Sequence, residues 1–176
     1  MGDDVRIVIL NCHSCVRAKA SFRDPQRELH PLPIRGLGYR WGVDFAGPMP
    51  MTKRGNLYVL VMIEHFTKWV ELVPLPDKSA KGVAHAFLNF VLSRYGALVE
   101  FVTDQGSEFK GEFQTLLSVH FIDHRLASRE HPQGDGLAER MVQAMKQGLW
   151  KSLLERAATD WDLVLPYFTM GYRMTT

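Results

Sequence analysis

The sequence predicts an α/β domain with a mixed five-stranded sheet flanked by helices, in the order βββαβαβαα. Three observations carry that prediction. Three strand-like runs lie close together between residues 42 and 76. After them, segments with helical spacing alternate with short apolar runs. Two helical segments then close the chain. At 176 residues and 46% hydrophobic content, the chain has the size of one domain with a short appendage and enough apolar side chains for a sizeable core.

Residues 3–11 read as the end of a helix, although Val5, Ile7, Val8 and Ile9 are β-branched and weaken it. Cys12-His-Ser-Cys15 follows, then a basic, polar stretch over 17–28. Pro25, Pro31 and Pro33, with Gly36 and Gly38, make 23–38 an extended linker. Residues 39–46 are strand-like and Gly47-Pro48 ends them. Residues 56–65 contain the run Leu57-Tyr-Val-Leu-Val-Met-Ile63, a strand buried on both faces. Residues 68–75 alternate through Trp69, Glu71 and Val73. The three strands read as an antiparallel meander.

Ser79 opens a helix to about Tyr95, with Val83, Phe87, Phe90 and Val91 on one side and Gly96 as its stop. The fourth strand is expected over 97–103, a helix over 107–119 and a fifth strand over 121–127. A loop with two glycines covers 131–136. Helices are expected over 137–154 and 161–172.

Composition excludes little and permits much. A net charge of +2 allows a nucleic-acid partner without predicting one. No apolar run approaches a membrane span. Residues 5–10 are too short for a signal-peptide core, and Asp3 and Asp4 are wrong for the segment before one, so a soluble intracellular protein is the default expectation. The only two cysteines, Cys12 and Cys15, form a CxxC, which in a reducing compartment suggests metal or redox chemistry.

Three acids stand out by position. Asp44 lies mid-strand among apolar neighbours, where an ionised side chain is costly unless paired or metal-bound. Asp104 sits where the fourth strand stops and a glycine turn begins. Glu139 lies in the first turn or so of the helix after the glycine loop. If the first and fourth strands are neighbours, Asp44 and Asp104 share one crevice and the loop can bring Glu139 to them. Three crowded carboxylates repel unless a divalent cation neutralises them, and oxygen ligands suit Mg²⁺ or Mn²⁺. Spacing alone leaves the plainer readings open: a buried Asp44 bonded to backbone amides, a turn residue at 104, and a helix-start acid at 139. Glu64, Glu71, Glu108 and Asp135 read as structural. On the helix of Glu139, Gln143 and Lys146 form a polar stripe. Lys146 is placed to reach a phosphate or base, or is an ordinary solvated lysine. Arg140 and His131 are open in the same way.

Several segments together resemble the integrase of long-terminal-repeat retrotransposons of the Ty3/gypsy type, related to retroviral integrase. They are Cys12-His-Ser-Cys15, His30-Pro-Leu-Pro-Ile34, Trp41-Gly-Val-Asp-Phe-Ala-Gly-Pro48, Met62-Ile-Glu-His-Phe-Thr-Lys-Trp-Val70, Val102-Thr-Asp-Gln-Gly-Ser-Glu-Phe109 and His131-Pro-Gln-Gly-Asp-Gly-Leu-Ala-Glu-Arg140. The resemblance implies a ribonuclease-H-like core over 39–176, with Asp44, Asp104 and Glu139 as the metal-binding catalytic triad. It further implies Mg²⁺-dependent (or Mn²⁺-dependent) trimming of DNA ends and their joining to target DNA, two ions being expected with DNA bound. DNA contacts would fall on Lys146, Gln143, Arg140 and His131. A homo-oligomer acting in the nucleus, without membrane attachment, is the implied setting. The alternatives are a non-catalytic nucleic-acid- or protein-binding remnant and a ribonuclease H-type nuclease.

The sequence also departs from the family pattern. Between Asp104 and Glu139 stand 34 residues, one fewer than the family's usual spacing, and the deletion falls around Lys110-Gly-Glu112. Position 64 is Glu where the family generally has Asp. Residues 1–22 resemble only the CxxC half of the family's zinc module. Without two upstream histidines, Cys12 and Cys15 supply half of a tetrahedral ligand set, and Zn²⁺ is not expected to bind. The core is expected to stop inside its final helical part.

Overall fold

In a computed structural model of the chain, which describes residues 36–126, 143 and 159–174, strand β1 (Arg40–Ala46) is the middle of a five-stranded sheet. Strand β2 (Tyr58–Glu64) runs antiparallel to β1, and β3 (Val70–Leu75) runs antiparallel to β2. On the other side, β4 (Glu100–Thr103) pairs with β1 in parallel, and β5 (Asp123–Leu126) pairs in parallel with β4. The order is therefore β3-β2-β1-β4-β5, a mixed sheet entered by an antiparallel meander, as the sequence predicts.

The period-two alternation of the strands sorts side chains onto two faces. Trp41, Val43 and Phe45 of β1 join Leu60, Met62 and Phe101 in one core, closed by helices α1 and α2. Helix α1 comprises Ala80–Phe87, a π-helical turn Leu88–Leu92, and Ser93–Tyr95. Ser79 caps it, its hydroxyl accepting the Gly82 amide at 3.2 Å. Helix α2 is Glu112–Val119. Between sheet and helices, Phe87, Phe101 and Phe113 meet edge to face, with centroids 4.6, 5.2 and 5.7 Å apart. On the opposite face, Ala46, Val59, Val61, Ile63, Val70 and Leu72 pack against Trp161 and Leu165 of α3 (Trp161–Arg173).

Helix α3 is also pinned by polar contacts to the β1–β2 connection. Asp162 accepts from Arg54 Nε and Nη2 at 2.8 and 2.7 Å and from Asn56 Nδ2 at 2.8 Å. The indole of Trp161 donates to the Pro50 carbonyl at 2.7 Å. The Arg54 guanidinium holds the Asp162 carboxyl well below the ordinary carboxylate range.

Among the boundaries that differ from expectation, three have a clear local reason. The fourth strand starts at Glu100 rather than 97, because pairing begins only where the Val99 and Glu100 amides both reach the Tyr39 carbonyl, at 3.2 and 2.9 Å. The helix expected over 107–119 is broken. Ser107–Phe109 form a 3-10 turn, and Gly111 takes a left-handed φ of 64° before α2 begins. The fifth strand starts at Asp123, because Phe121 has φ 56° and is 95% exposed, neither of which suits a strand.

Among the described residues no helix is long and apolar enough to cross a membrane. The helix end at 3–11, Cys12 and Cys15, the linker up to residue 35, and the loop at 131–136 lie outside the described residues. So does the helix at 137–154, apart from Gln143, which is helical and exposed.

Candidate metal centre

Asp44 owes its place to strand alternation. Its neighbours Val43 and Phe45 point into the α1–α2 core, so Asp44 faces the other side of the sheet, where it is half-buried. The β1–β4 register pairs Arg40 with Glu100, Trp41 with Phe101 and Gly42 with Val102. Continued by two residues beyond its last pair, the same register would bring Asp104 opposite Asp44. Asp44 lies two residues before the end of β1, and Asp104 directly follows β4, its parallel neighbour.

Backbone amides orient both carboxyls. Asp44 Oδ1 accepts the Phe45 amide at 2.6 Å, and Asp104 Oδ1 accepts the Gly106 amide at 2.9 Å. The turn after Asp104 is close-set at Gly106, where a side chain would make the Glu108 and Asp104 carboxyls shift. A Cβ at 106 would lie 2.6 Å from the Glu108 carboxyl and 2.9 Å from Asp104 Oδ1. Three residues further on, buried Phe109 anchors the turn, its ring 6.1 Å from Phe45 and 6.0 Å from Phe113. The segment bearing Asp104 is thus clamped to the residue that follows Asp44.

This donor set suits a hard divalent cation. Both side chains offer carboxylate oxygen, the donor that Mg²⁺ and Mn²⁺ prefer. Among the described residues no group of three His, Cys, Asp or Glu side chains converges. Glu139, Arg140, His131 and Lys146 lie outside the described residues, as do Cys12 and Cys15. Of the acids read as structural, Glu64 and Glu71 are indeed buried strand residues, and Glu108 lies in the 3-10 turn. Lys78 was not anticipated. Its ammonium lies 5.2 and 5.4 Å from the Phe45 and Tyr58 ring centroids, and only its place beside the Ser79 cap would have drawn attention to it.

The other end of β1 is built for rigidity. Arg40 and Glu100 form a buried ion pair at 2.6 Å, and Glu100 also accepts from Tyr39 Oη at 3.1 Å and pairs with Arg125 at 2.8 Å. Beside them, burial first and then the Arg40 charge lower the His65 pKa from 6.5 to about 4. The unfolded chain therefore takes up this proton before the folded one does. Stability should be full above pH 6.5, fall as the pH drops toward 4 and then level off, by at most about 3 kcal/mol. Urea midpoints measured across that interval should show the slope in the native chain and a flatter profile in His65→Gln. Equal slopes would remove His65 as the cause. The Asp162 contribution belongs to lower pH, because its folded pKa lies below its ordinary 3.8.

Comparison with known proteins agrees with this architecture. The family model described as integrase core domain matches residues 36–132. The chain is 33% identical over 134 residues to the retrovirus-related Pol polyprotein from transposon 412 of Drosophila melanogaster, covering 76% of this chain and 11% of that protein. It is 32% identical over 175 residues to the Gag-Pol polyprotein of Koala retrovirus, covering 97% of this chain and 10% of that one. The chain thus spans about a tenth of the length of these relatives. Among solved structures, the HTLV-2 integrase catalytic core domain in complex with magnesium, in its trimeric form, superposes with a TM-score of 0.59. That match covers 76% of this chain and 84% of the other at 24% identity, and carries the fold alone. Transposon 412 is consistent with the Ty3/gypsy resemblance of the sequence. With a ribonuclease-H-like sheet and more than half of its length in one matching segment, the chain belongs to the integrase core domain family.

Proposed function

We propose that this chain is the catalytic core of a retrotransposon integrase, performing metal-dependent polynucleotidyl transfer on DNA: processing of 3′ ends and their transfer to a target strand. The observation that supports this reading is the parallel β1–β4 register, which pairs Gly42 with Val102 and, continued by two residues, would bring Asp44 and Asp104 level. Residues 39–176 would be the core, 23–38 a linker, and 1–22 the CxxC-bearing part of a zinc module. DNA is the partner, met as a homo-oligomer in the nucleus.

Asp44 and Asp104, joined by Glu139, would hold Mg²⁺ or Mn²⁺. When bound, such ions activate an attacking oxygen and stabilise the leaving one in phosphodiester displacement. The chain's own part is orientation. The Phe45 and Gly106 amides fix the two carboxyls, and the Phe109 anchor keeps the Asp104 turn from drifting. His131, Arg140, Gln143 and Lys146 would contact the DNA, of which Gln143 has the exposure this needs.

The test is reversal of strand transfer on a branched DNA substrate, with Mg²⁺ and with Mn²⁺. Metal-dependent resolution of the branch supports the reading. A folded chain with neither metal giving product would leave a non-catalytic remnant, and cleavage of an RNA–DNA hybrid instead would make it a ribonuclease H.

A further inference from the structure

Lys78 leaves β3 at the end of the sheet that carries Asp44 and Asp104. The β2–β3 register pairs Tyr58 with Leu75, and the β1–β2 register pairs Ala46 with Val59, so the chain after β3 emerges beside the close of β1. β4 runs parallel to β1 and ends there too, one residue before Asp104. Three rings join these strand ends: Phe45 meets Tyr58 at 6.2 Å and Phe109 at 6.1 Å. Lys78 Nζ lies over two of them, 5.2 Å from the Phe45 centroid and 5.4 Å from that of Tyr58. Contact with two ring faces restrains a side chain whose four-carbon stem is otherwise flexible.

The ammonium is restrained but not neutralised. Lys78 is exposed, and among the described residues no carboxylate pairs with it. The adjacent Asp77 is turned to the backbone, its Oδ1 accepting the Ser79 amide at 2.9 Å. Other cations beyond the strand ends are already matched: Lys53 pairs with Asp160 at 2.9 Å and Arg54 with Asp162 at 2.7 Å. A ring face attracts a cation without cancelling its charge, so Lys78 keeps a full positive charge and three donors for an anion from outside.

We propose that Lys78 contacts a backbone phosphate of DNA and so fixes a strand that crosses the rim of the sheet toward Asp44 and Asp104. The inference rests on DNA being the partner and adds a residue that holds it. Phe45 and Asp44 face opposite sides of β1, so the phosphate on Lys78 is a neighbour of the reacting one. Every nucleotide carries a phosphate, and a strand placed on one side of the rim therefore offers another to the far side. Such a contact positions the strand without reading its sequence.

The test is the fluorescence anisotropy of a fluorescein-labelled DNA duplex titrated with the whole chain in metal-free buffer, repeated over a series of KCl concentrations. Lys78→Met keeps a stem against the rings and removes the charge. It should bind roughly fivefold more weakly near 0.1 M KCl, and the slope of log affinity against log salt should fall by about 0.9, the value of one phosphate contact. Lys78→Arg should restore the native slope. Lys53→Met makes the same change of charge at a lysine already paired, and its slope should stay native. An unchanged slope in Lys78→Met, or an equal fall in Lys53→Met, would overturn this inference alone. A native chain that binds no DNA would overturn the reading beneath it as well. Should Lys78→Met fail to fold, Lys78→Gln carries the same comparison.

Discussion

Asp104→Asn is expected to reduce branch resolution on DNA by at least about a hundredfold, because about 3 kcal/mol of charge stabilisation is lost with one metal ligand. The substitution is nearly isosteric, and its amide oxygen can still accept the Gly106 amide that orients Asp104 now, at 2.9 Å. Folding should therefore survive. In metal-free buffer the thermal midpoint should match or slightly exceed that of the native chain, since a carboxylate charge next to the end of β4 has gone. Added Mn²⁺ should raise the native midpoint by binding the folded state and leave that of the variant unchanged. A variant that keeps full activity, or that responds equally to Mn²⁺, would show that Asp104 is only the turn residue its local sequence also allows.

Phe113→Ala should have the largest effect on stability, costing about 3–5 kcal/mol and lowering the thermal midpoint by roughly 10 °C. Phe113 is inaccessible to solvent and its ring meets Phe87, Phe101, Phe109 and His124 at 5.7, 5.2, 6.0 and 6.2 Å. Truncation would open a cavity where α1, α2 and β4 converge, with large neighbouring rings poorly able to collapse into it. Function should follow, because Phe109 would lose one of the two rings that clamp the Asp104 turn. At a temperature where the variant is still folded, Mn²⁺ should stabilise it less than it stabilises the native chain. Calorimetric midpoints with and without Mn²⁺ check both parts. A loss under about 1 kcal/mol would mean that the core repacks and that the clamp is not rigid.

The sheet was legible because its strands are short, apolar and bounded by glycine and proline, as in 57–63. Helix α1 was legible from a serine cap and a glycine stop. Less legible were features that depend on one residue's backbone or on distant partners. Gly111 splits the helix expected from Ser107, although its apolar spacing continues through Phe109 and Phe113. Phe121 reads as strand by residue type, yet it adopts a left-handed φ. The hold of Arg54 on Asp162 spans 108 residues and leaves no local pattern. The candidate site was legible in part, since an acid in an apolar strand and an acid at a strand end invite pairing. That β1 and β4 are parallel neighbours, as such pairing requires, is encoded in no single strand. Glu64 shows the reverse case. As a strand acid it looked merely structural, and its residue type does not signal that, among the described residues, its buried Oε1 has no hydrogen-bond partner.

Anomalous scattering from crystals of the chain grown with Mn²⁺ addresses the central claim most directly. The account predicts a peak about 2.1–2.3 Å from carboxyl oxygens of both Asp44 and Asp104, with Glu139 completing the ligand set directly or through water. A peak elsewhere, or none at this site with Glu139 directed away from the two aspartates, would contradict it.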